Sequence, residues 1–278
     1  MAQDFDLELL RGRLRARRFN GSGVPVLCIP GLSSNSRAFL ELGERLERHG
    51  RDVIAFDLRG RGQSDITAAG TYGWENHARD IFESADALGF DRFDLVGHSM
   101  GAFVALAASS LDRNKRIRRL VLVDGAGFPS QSALEAIVAS MQRLKTAFAT
   151  PDDYVAAIRE GGMVVPWNAL WEAHYRYDLV QNGSGVHPRT SFDAIAEDAA
   201  YGASHDPRAL WALVTAPALL LRAAIPFAAA ADAFVLPKEE YEAFLRGVPS
   251  ASGAEIRANH YGIVCDPEAC ERVEAFLR

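Results

Sequence analysis

The chain has 278 residues, of which 49% are hydrophobic and 24% charged, a composition typical of a globular protein with one large core. Its net charge of −6 argues against nucleic acid as a partner. The N-terminus, MAQDFDLELL, carries acids where a signal peptide carries basic residues, and no apolar run approaches the roughly 20 residues that cross a bilayer, so we expect a cytoplasmic protein that does not act at a membrane.

Short apolar runs alternate along the chain with segments of helical length. The basic run RGRLRARR (11–18) alternates in the manner of an exposed hairpin face. The apolar runs have no polar face, which favours strands buried on both sides and hence parallel; they are PVLCIP (25–30), DVIAFDL (52–58), RFDLVGH (92–98), RRLVLVD (118–124), APALLLR (216–222) and AEIRAN (254–259). Helices are predicted over 36–50, 74–89, 99–111, 238–248 and 266–278. This order predicts an α/β fold with a mostly parallel sheet and helices on both faces.

One gap between predicted strands is too long for an ordinary crossover. About 90 residues separate Asp124 from Ala216, and they predict an inserted subdomain above the sheet. Within it, Trp167, Trp171 and Tyr175 lie four apart on one predicted helical face. Such a stripe belongs to a core or lines a pocket. Since α/β sheets bind ligands at the edge that the insertion covers, we assign these three residues to the substrate pocket.

The stretch Gly97-His98-Ser99-Met100-Gly101 joins a predicted strand to a predicted helix. Its glycines permit a close approach of strand and helix, while the serine between them occupies a strained turn that exposes its hydroxyl. The amides at the start of the helix suit a developing oxyanion. A tight turn with a helix-capping serine is the alternative, but the strand–turn–helix context favours a nucleophile.

A serine nucleophile needs a neighbouring base, and seven histidines compete for that role. His260 follows the last predicted strand and reaches the same edge of the sheet as Ser99, whereas His98 belongs to the turn itself and the others fall on predicted helices or polar loops. We expect His260 to be the base, with a structural loop histidine as the alternative.

Four segments together resemble the α/β-hydrolase superfamily, over almost the whole chain: IPGLSSNSRAF (29–39), FDLRGRGQSD (56–65), VGHSMGAF (96–103) and NHYGIVCDPEA (259–269). The resemblance implies Ser99 as nucleophile, His260 as base, and the backbone amides of Leu32 and Met100 as the oxyanion hole. It also implies a hydrolase core over 1–127 and 213–278 with a helical cap over 128–212. Pro30 replaces a histidine frequent in relatives, which is harmless because the group needed there is a backbone amide.

Two aspartates compete to orient His260. Relatives place the acid after the next-to-last strand, but the segment LLLRAAIPFAAAADAF (219–234) has no carboxylate before Asp232. Asp124 ends the strand that follows the nucleophile helix, where the sheet holds it rigidly. We therefore assign the orienting acid to Asp124 and keep two alternatives, Asp232 and the lack of a dedicated acid.

These residues predict hydrolysis of a small, partly apolar carboxylic ester, lactone or thioester through an acyl-enzyme, without cofactor or metal. Hydrolysis of a carbon–carbon bond in ring-cleavage diketones needs the same residues and is the first alternative. A ligand-binding pseudoenzyme on the same fold is the second. The odd set Cys28, Cys265 and Cys270 indicates neither a disulfide framework nor a zinc site, and nothing in the sequence predicts an oligomeric state.

Overall fold

A computed structural model describes residues 2–183 and 185–278. Its strands, numbered along the chain, are β1 (Gln3–Leu9), β2 (Gly12–Phe19), β3 (Val26–Ile29), β4 (Val53–Phe56), β5 (Phe93–His98), β6 (Ile117–Val123), β7 (Leu179–Asn182), β8 (Gly185–Pro188), β9 (Ala218–Ala223) and β10 (Ala251–Ile256). Its α helices are α1 (Leu40–Arg48), α2 (Trp74–Ala87), α3 (Met100–Leu111), α4 (Gln131–Met141), α5 (Pro151–Glu160), α6 (Ala169–Tyr177), α7 (Phe192–Ser204), α8 (Lys238–Gly247) and α9 (Pro267–Leu277).

Eight strands form one sheet in the order β1-β2-β4-β3-β5-β6-β9-β10. Strand β2 runs antiparallel to β1 and β4, and the remaining neighbours are parallel. The predicted α/β fold with a mostly parallel sheet is confirmed. The last strand begins at Ala251, earlier than the sequence pattern suggested, because it pairs with β9 from that residue onward.

Strands β3, β4, β5 and β9 are buried on both faces, as their continuous apolar runs predicted. The expectation was wrong for β10, which lies at the edge of the sheet and is mostly exposed or half-buried. Leu27 and Ile29 point into the core beneath α2, α3 and α8, while Val26 and Cys28 point into the core beneath α1 and α9. All four side chains have no exposed surface. With helices on both faces, the accessible part of the sheet is the edge where the strands end.

The β1–β2 hairpin carries the basic run of the N-terminus. Arg13 and Arg15 both form ion pairs with Asp6, and Arg17 pairs with Asp4. The acids come from the facing strand β1, so much of the positive charge is balanced within the hairpin.

The segment between β6 and β9 contains α4 to α7, the antiparallel hairpin β7–β8 and a 3₁₀ helix over Pro207–Leu213. The insertion was expected to be helical, and its hairpin was not predicted; the turn follows Asn182, with Gly183 at a positive φ of 58°. Helix α6 starts at Ala169 because the Asn168 side chain accepts a hydrogen bond from the Trp171 amide at 3.2 Å. Trp167 was predicted to lie on the same helix as Trp171 and Tyr175, but it precedes that helix. No helix in the described part of the chain is both long and apolar enough to cross a membrane.

Candidate active site

Ser99 lies in the tight turn between β5 and α3, with φ of 55° and ψ of −122°. A left-handed conformation is strained for a residue with a side chain, and the surrounding structure maintains it. A Cβ atom on Gly97 would collide with the Gly101 carbonyl, and one on Gly101 would collide with the Ile29 carbonyl, so both flanking positions require glycine. The turn presents the Ser99 hydroxyl at the C-terminal edge of the sheet.

A chain of hydrogen bonds joins Ser99, His260 and Asp124. Ser99 Oγ lies 3.0 Å from His260 Nε2, and His260 Nδ1 lies 2.7 Å from Asp124 Oδ2. The other Asp124 oxygen, Oδ1, accepts a hydrogen bond from the Ala223 amide at 2.9 Å. Both side chains are buried, with His260 7% and Asp124 1% exposed, so the pair is shielded from water. Asp232 is exposed and its carboxylate accepts a hydrogen bond from Ser132 instead, at 2.9 Å.

His98 supports the loop that carries His260, a contact that sequence reasoning missed. Its Nε2 lies 3.0 Å from the His260 carbonyl, and the two rings lie 4.6 Å apart. Burial, and secondly the nearby His260, hold the pKa of His98 well below its ordinary value. The ring is therefore neutral, and Nε2 donates its hydrogen to the carbonyl.

The amides of Leu32 and Met100 flank the nucleophile. Met100 is the first residue of α3, and the loop before Leu32 passes so close that a Cβ on Gly31 would lie 3.1 Å from Ser99 Cβ. Within the described residues, neither amide donates to a protein acceptor. Both residues line the cavity at Ser99.

A buried ionic cluster connects this loop to α7. Arg61 Nε donates to the Leu32 carbonyl at 2.9 Å, and the same guanidinium forms an ion pair with Asp198 on α7. His77 Nε2 contacts the same carboxylate at 3.0 Å. Burial opposes the charge of Asp198, but Arg61 and His77 outweigh it and lower the pKa of that carboxyl. The spacing of these residues along the chain gave no signal for this cluster.

Ser99 and His260 open into a cavity of about 450 Å³. Trp171 and Tyr175 of α6 line it, whereas Trp167 does not and stacks on Tyr175 with ring centroids 5.9 Å apart. Arg143, which the sequence analysis did not single out, also lines the cavity. The apolar part of the wall includes Trp74, Phe103, Phe128, Leu134, Ile137, Val138 and Phe227.

A larger cavity of about 920 Å³ lies between 161–168 and 225–229, but its lining does not include Ser99. Among residues 2–183 and 185–278, no group of three or more histidine, cysteine or acidic side chains is placed to hold a metal ion.

Comparison with known proteins agrees with this fold. A family model described as "alpha/beta hydrolase fold" matches residues 24–211. The chain belongs to the α/β-hydrolase family, as the strand order and the turn at Ser99 indicate.

Individual relatives match over part of their length. N-formylmaleamate deformylase of Pseudomonas putida is 39% identical over 107 residues, which are 38% of this chain and 39% of that protein. A 2-hydroxymuconate semialdehyde hydrolase of a Pseudomonas species is 35% identical over 145 residues, 47% of this chain and 49% of the relative. The chain thus spans less than half the length of these curated relatives. The solved structure of E-2-(acetamidomethylene)succinate hydrolase is similar throughout, with a TM-score of 0.86, 25% identity, and coverage of 100% of this chain and 99% of that one.

Proposed function

We propose that this α/β hydrolase uses Ser99 to break a bond to a carbonyl carbon in a small organic acid. The observation that carries the proposal is the continuous hydrogen-bonded chain from Ser99 Oγ through His260 to Asp124, open to a cavity beside two available amides. Serine alone is a poor nucleophile, and a base oriented by a buried carboxylate is the usual means of activating it.

In the proposed reaction, Ser99 Oγ bonds to the carbonyl carbon while its proton passes to His260 Nε2. The carbonyl oxygen becomes an oxyanion, which the Leu32 and Met100 amides stabilise. When the tetrahedral species collapses, the bond to the leaving group breaks, and the leaving atom takes its electron pair and the proton from His260. Water, deprotonated by His260, then attacks the acyl-enzyme and frees Ser99.

The names of the relatives favour carbon–carbon and carbon–nitrogen bonds over the carboxylic ester expected from the sequence. One relative is named for a semialdehyde, which contains no ester or amide bond, and the others for N-formyl and acetamido compounds. Each named substrate carries a small carbonyl-containing group on the skeleton of an acid. We therefore place hydrolysis of a ring-cleavage product or an N-acyl acid before simple ester cleavage.

We further propose that residues 128–212 act as a lid over the nucleophile. Residues from this segment, among them Leu134, Trp171 and Tyr175, line the same cavity as Ser99. A lid of this kind excludes water from the oxyanion and shapes the site to its substrate.

The proposal is tested by a panel of N-formyl and N-acetyl amino acids and amides, ring-cleavage diketones, lactones and 4-nitrophenyl esters. We expect turnover of an N-acyl or diketone substrate, and a loss of several orders of magnitude in kcat for Ser99→Ala and His260→Ala. A fluorophosphonate should label the wild type in a one-to-one ratio and leave Ser99→Ala unlabelled.

Preferential turnover of simple esters would support the sequence-based expectation instead. Absence of both labelling and turnover would indicate a ligand-binding pseudoenzyme. Retention of more than about a tenth of the activity in a folded Ser99→Ala or His260→Ala variant would exclude the assigned nucleophile or base.

A further inference from the structure

Arg143 reaches the nucleophile's cavity from a short 3₁₀ helix, Gln142–Lys145, that follows α4. Its Nη1 donates to the Ser140 carbonyl at 2.9 Å, and its Nη2 donates to Ser33 Oγ at 3.0 Å. Ser33 directly follows Leu32, whose amide belongs to the proposed oxyanion hole. The guanidinium is thus fastened beside the position where the reacting carbonyl would lie.

The charge of Arg143 has no counter-ion in its surroundings. Among the described residues, its hydrogen-bond partners are the Ser140 carbonyl and Ser33, none of them a carboxylate, and its Nε is buried without a hydrogen-bond acceptor. Burial works against the charged form, but the pKa of Arg143 is nevertheless raised above its ordinary value, and a guanidinium does not lose its proton in a protein, so it remains a cation. A partly buried, unpaired guanidinium is unfavourable for folding and is rarely retained without a partner.

Two ionisable side chains near Arg143 do not supply that partner. Asp178 is close enough for Arg143 to lower its pKa, but its carboxylate is bonded to Thr190, and burial raises its pKa to about 7. His174 also lines the cavity, and burial, followed by the charge of Arg143, lowers its pKa to about 3, so it is neutral. Neither side chain therefore forms an ion pair with the guanidinium that lines the cavity.

We propose that Arg143 binds a carboxylate of the substrate. Guanidinium groups match carboxylates in shape and charge, and such charge-assisted hydrogen bonds are among the strongest that a protein makes. Held at Arg143, the acid end of the substrate directs the acyl end towards Ser99. The substrate class is then an acyl compound with a free carboxylate a few bonds from the reacting carbonyl. This inference rests on the proposed function for the identity of the ligand, but its test does not need turnover.

The test measures binding of succinate and glutarate to the Ser99→Ala variant by calorimetry, with succinamide as the uncharged probe. We expect the dicarboxylates to bind and succinamide to bind far more weakly. Adding Arg143→Met should weaken dicarboxylate binding by roughly 10- to 100-fold, the range for a lost hydrogen bond to a charged group. With Arg143→Lys instead, the affinity for dicarboxylates should lie between that of the Ser99→Ala protein and that of the Arg143→Met variant, because lysine keeps the charge and lacks the planar guanidinium fork.

Arg159→Met is the matched control, since Arg159 is an exposed arginine on α5 outside the cavity lining. It removes the same charge from the same insertion and should leave dicarboxylate affinity unchanged. The proposal would be overturned if Arg159→Met and Arg143→Met weakened dicarboxylate binding equally. It would also be overturned if dicarboxylates bound with equal affinity with and without Arg143.

Thermal unfolding separates binding from a structural role. If Arg143 serves the ligand, Arg143→Met should unfold at the same or a higher temperature than the parent, because an unpaired cation has been removed. A marked decrease in Tm for both Arg143→Met and Arg143→Lys, with unaltered dicarboxylate affinity, would assign Arg143 to structure. Failure of the proposed hydrolysis with intact, Arg143-dependent binding would refute the reaction and leave the carboxylate site standing.

Discussion

At the scale of single residues, the two carboxylate oxygens of Asp124 have different hydrogen-bond partners. Oδ1 accepts from the Ala223 amide of the neighbouring strand β9, while Oδ2 contacts His260. The first bond fixes the carboxylate against the sheet, so the second has a defined direction. Asp124 has φ of 50°, an uncommon value for an aspartate, and this turn directs its side chain towards His260.

Replacement of Asp124 by Asn tests this division of roles. The amide keeps an acceptor for Ala223, but its NH₂ group or neutral oxygen holds His260 less effectively in the tautomer that accepts the Ser99 proton. We expect kcat to decrease by about 10⁴-fold with little change in Tm.

Asp232→Asn is the control for that measurement, because its carboxylate is exposed and bonded to Ser132. It should retain wild-type kcat. If Asp232→Asn were the damaging change and Asp124→Asn silent, the orienting acid would have to be reassigned.

At the scale of secondary-structure elements, α7 is joined to the hydrolase core through Asp198. Its carboxylate meets Arg61, His77 and the Gly73 amide, the last at 2.6 Å. Arg61, His77 and Asp198 are all buried, so these side chains interact with one another in place of water. Because Arg61 also holds the Leu32 carbonyl, this contact couples the position of α7 to the proposed oxyanion loop.

Asp198→Ala should therefore be strongly destabilising. The substitution leaves the buried Arg61 cation without its counter-ion. Removing one partner of a buried ion pair lowers the free energy of unfolding by about 3–5 kcal/mol. Urea unfolding measures the loss, and Asp193→Ala, an exposed acid in the first turn of the same helix, is the control and should lose less than about 1 kcal/mol. A loss for Asp198→Ala no larger than the control's would show that the cluster does not hold α7 in place.

At the scale of the whole molecule, the sequence predicted what short segments determine by themselves. Apolar runs revealed the parallel strands, and the order of strands and helices revealed the fold. The turn at Ser99 and the strand end at Asp124 are local features, and the sheet brings them together because β5 and β6 are neighbours.

Contacts between distant segments were not predictable in the same way. Arg143 and Ser33 are 110 positions apart, and Arg61 and Asp198 are 137 apart. No periodicity links such residues, since their contact depends on how the insertion folds over the core. Trp167 shows the same limitation within a short segment: the cap at Asn168 starts α6 after it, and it is not part of the cavity lining.

The pH dependence of folding offers a test of the insertion's buried charges. Asp178 lies at the end of α6, is 3% exposed, and accepts hydrogen bonds from Thr190 Oγ1 at 2.8 Å and from the Thr190 amide at 3.2 Å. Burial is the main cause that raises its pKa from 3.8 to about 7, and the bonds from Thr190 oppose it. Between these two values the folded protein retains a proton that the unfolded chain has released. Raising the pH through this window therefore lowers the free energy of unfolding, by at most about 1.4 kcal/mol per pH unit.

Asp178→Asn removes this titration while keeping an acceptor for Thr190. Relative to wild type, its free energy of unfolding should rise steadily from about pH 4 to pH 7 and then level off, because above the folded pKa both states of the wild type are ionised. Urea unfolding at half-unit pH intervals measures the difference. Thr190→Val, which deletes the hydroxyl that favours the charged form, should extend the wild-type decline to higher pH. Parallel curves for wild type and Asp178→Asn across this window would mean that Asp178 is ionised in the folded protein, and Asp178 would then be a candidate counter-ion for Arg143.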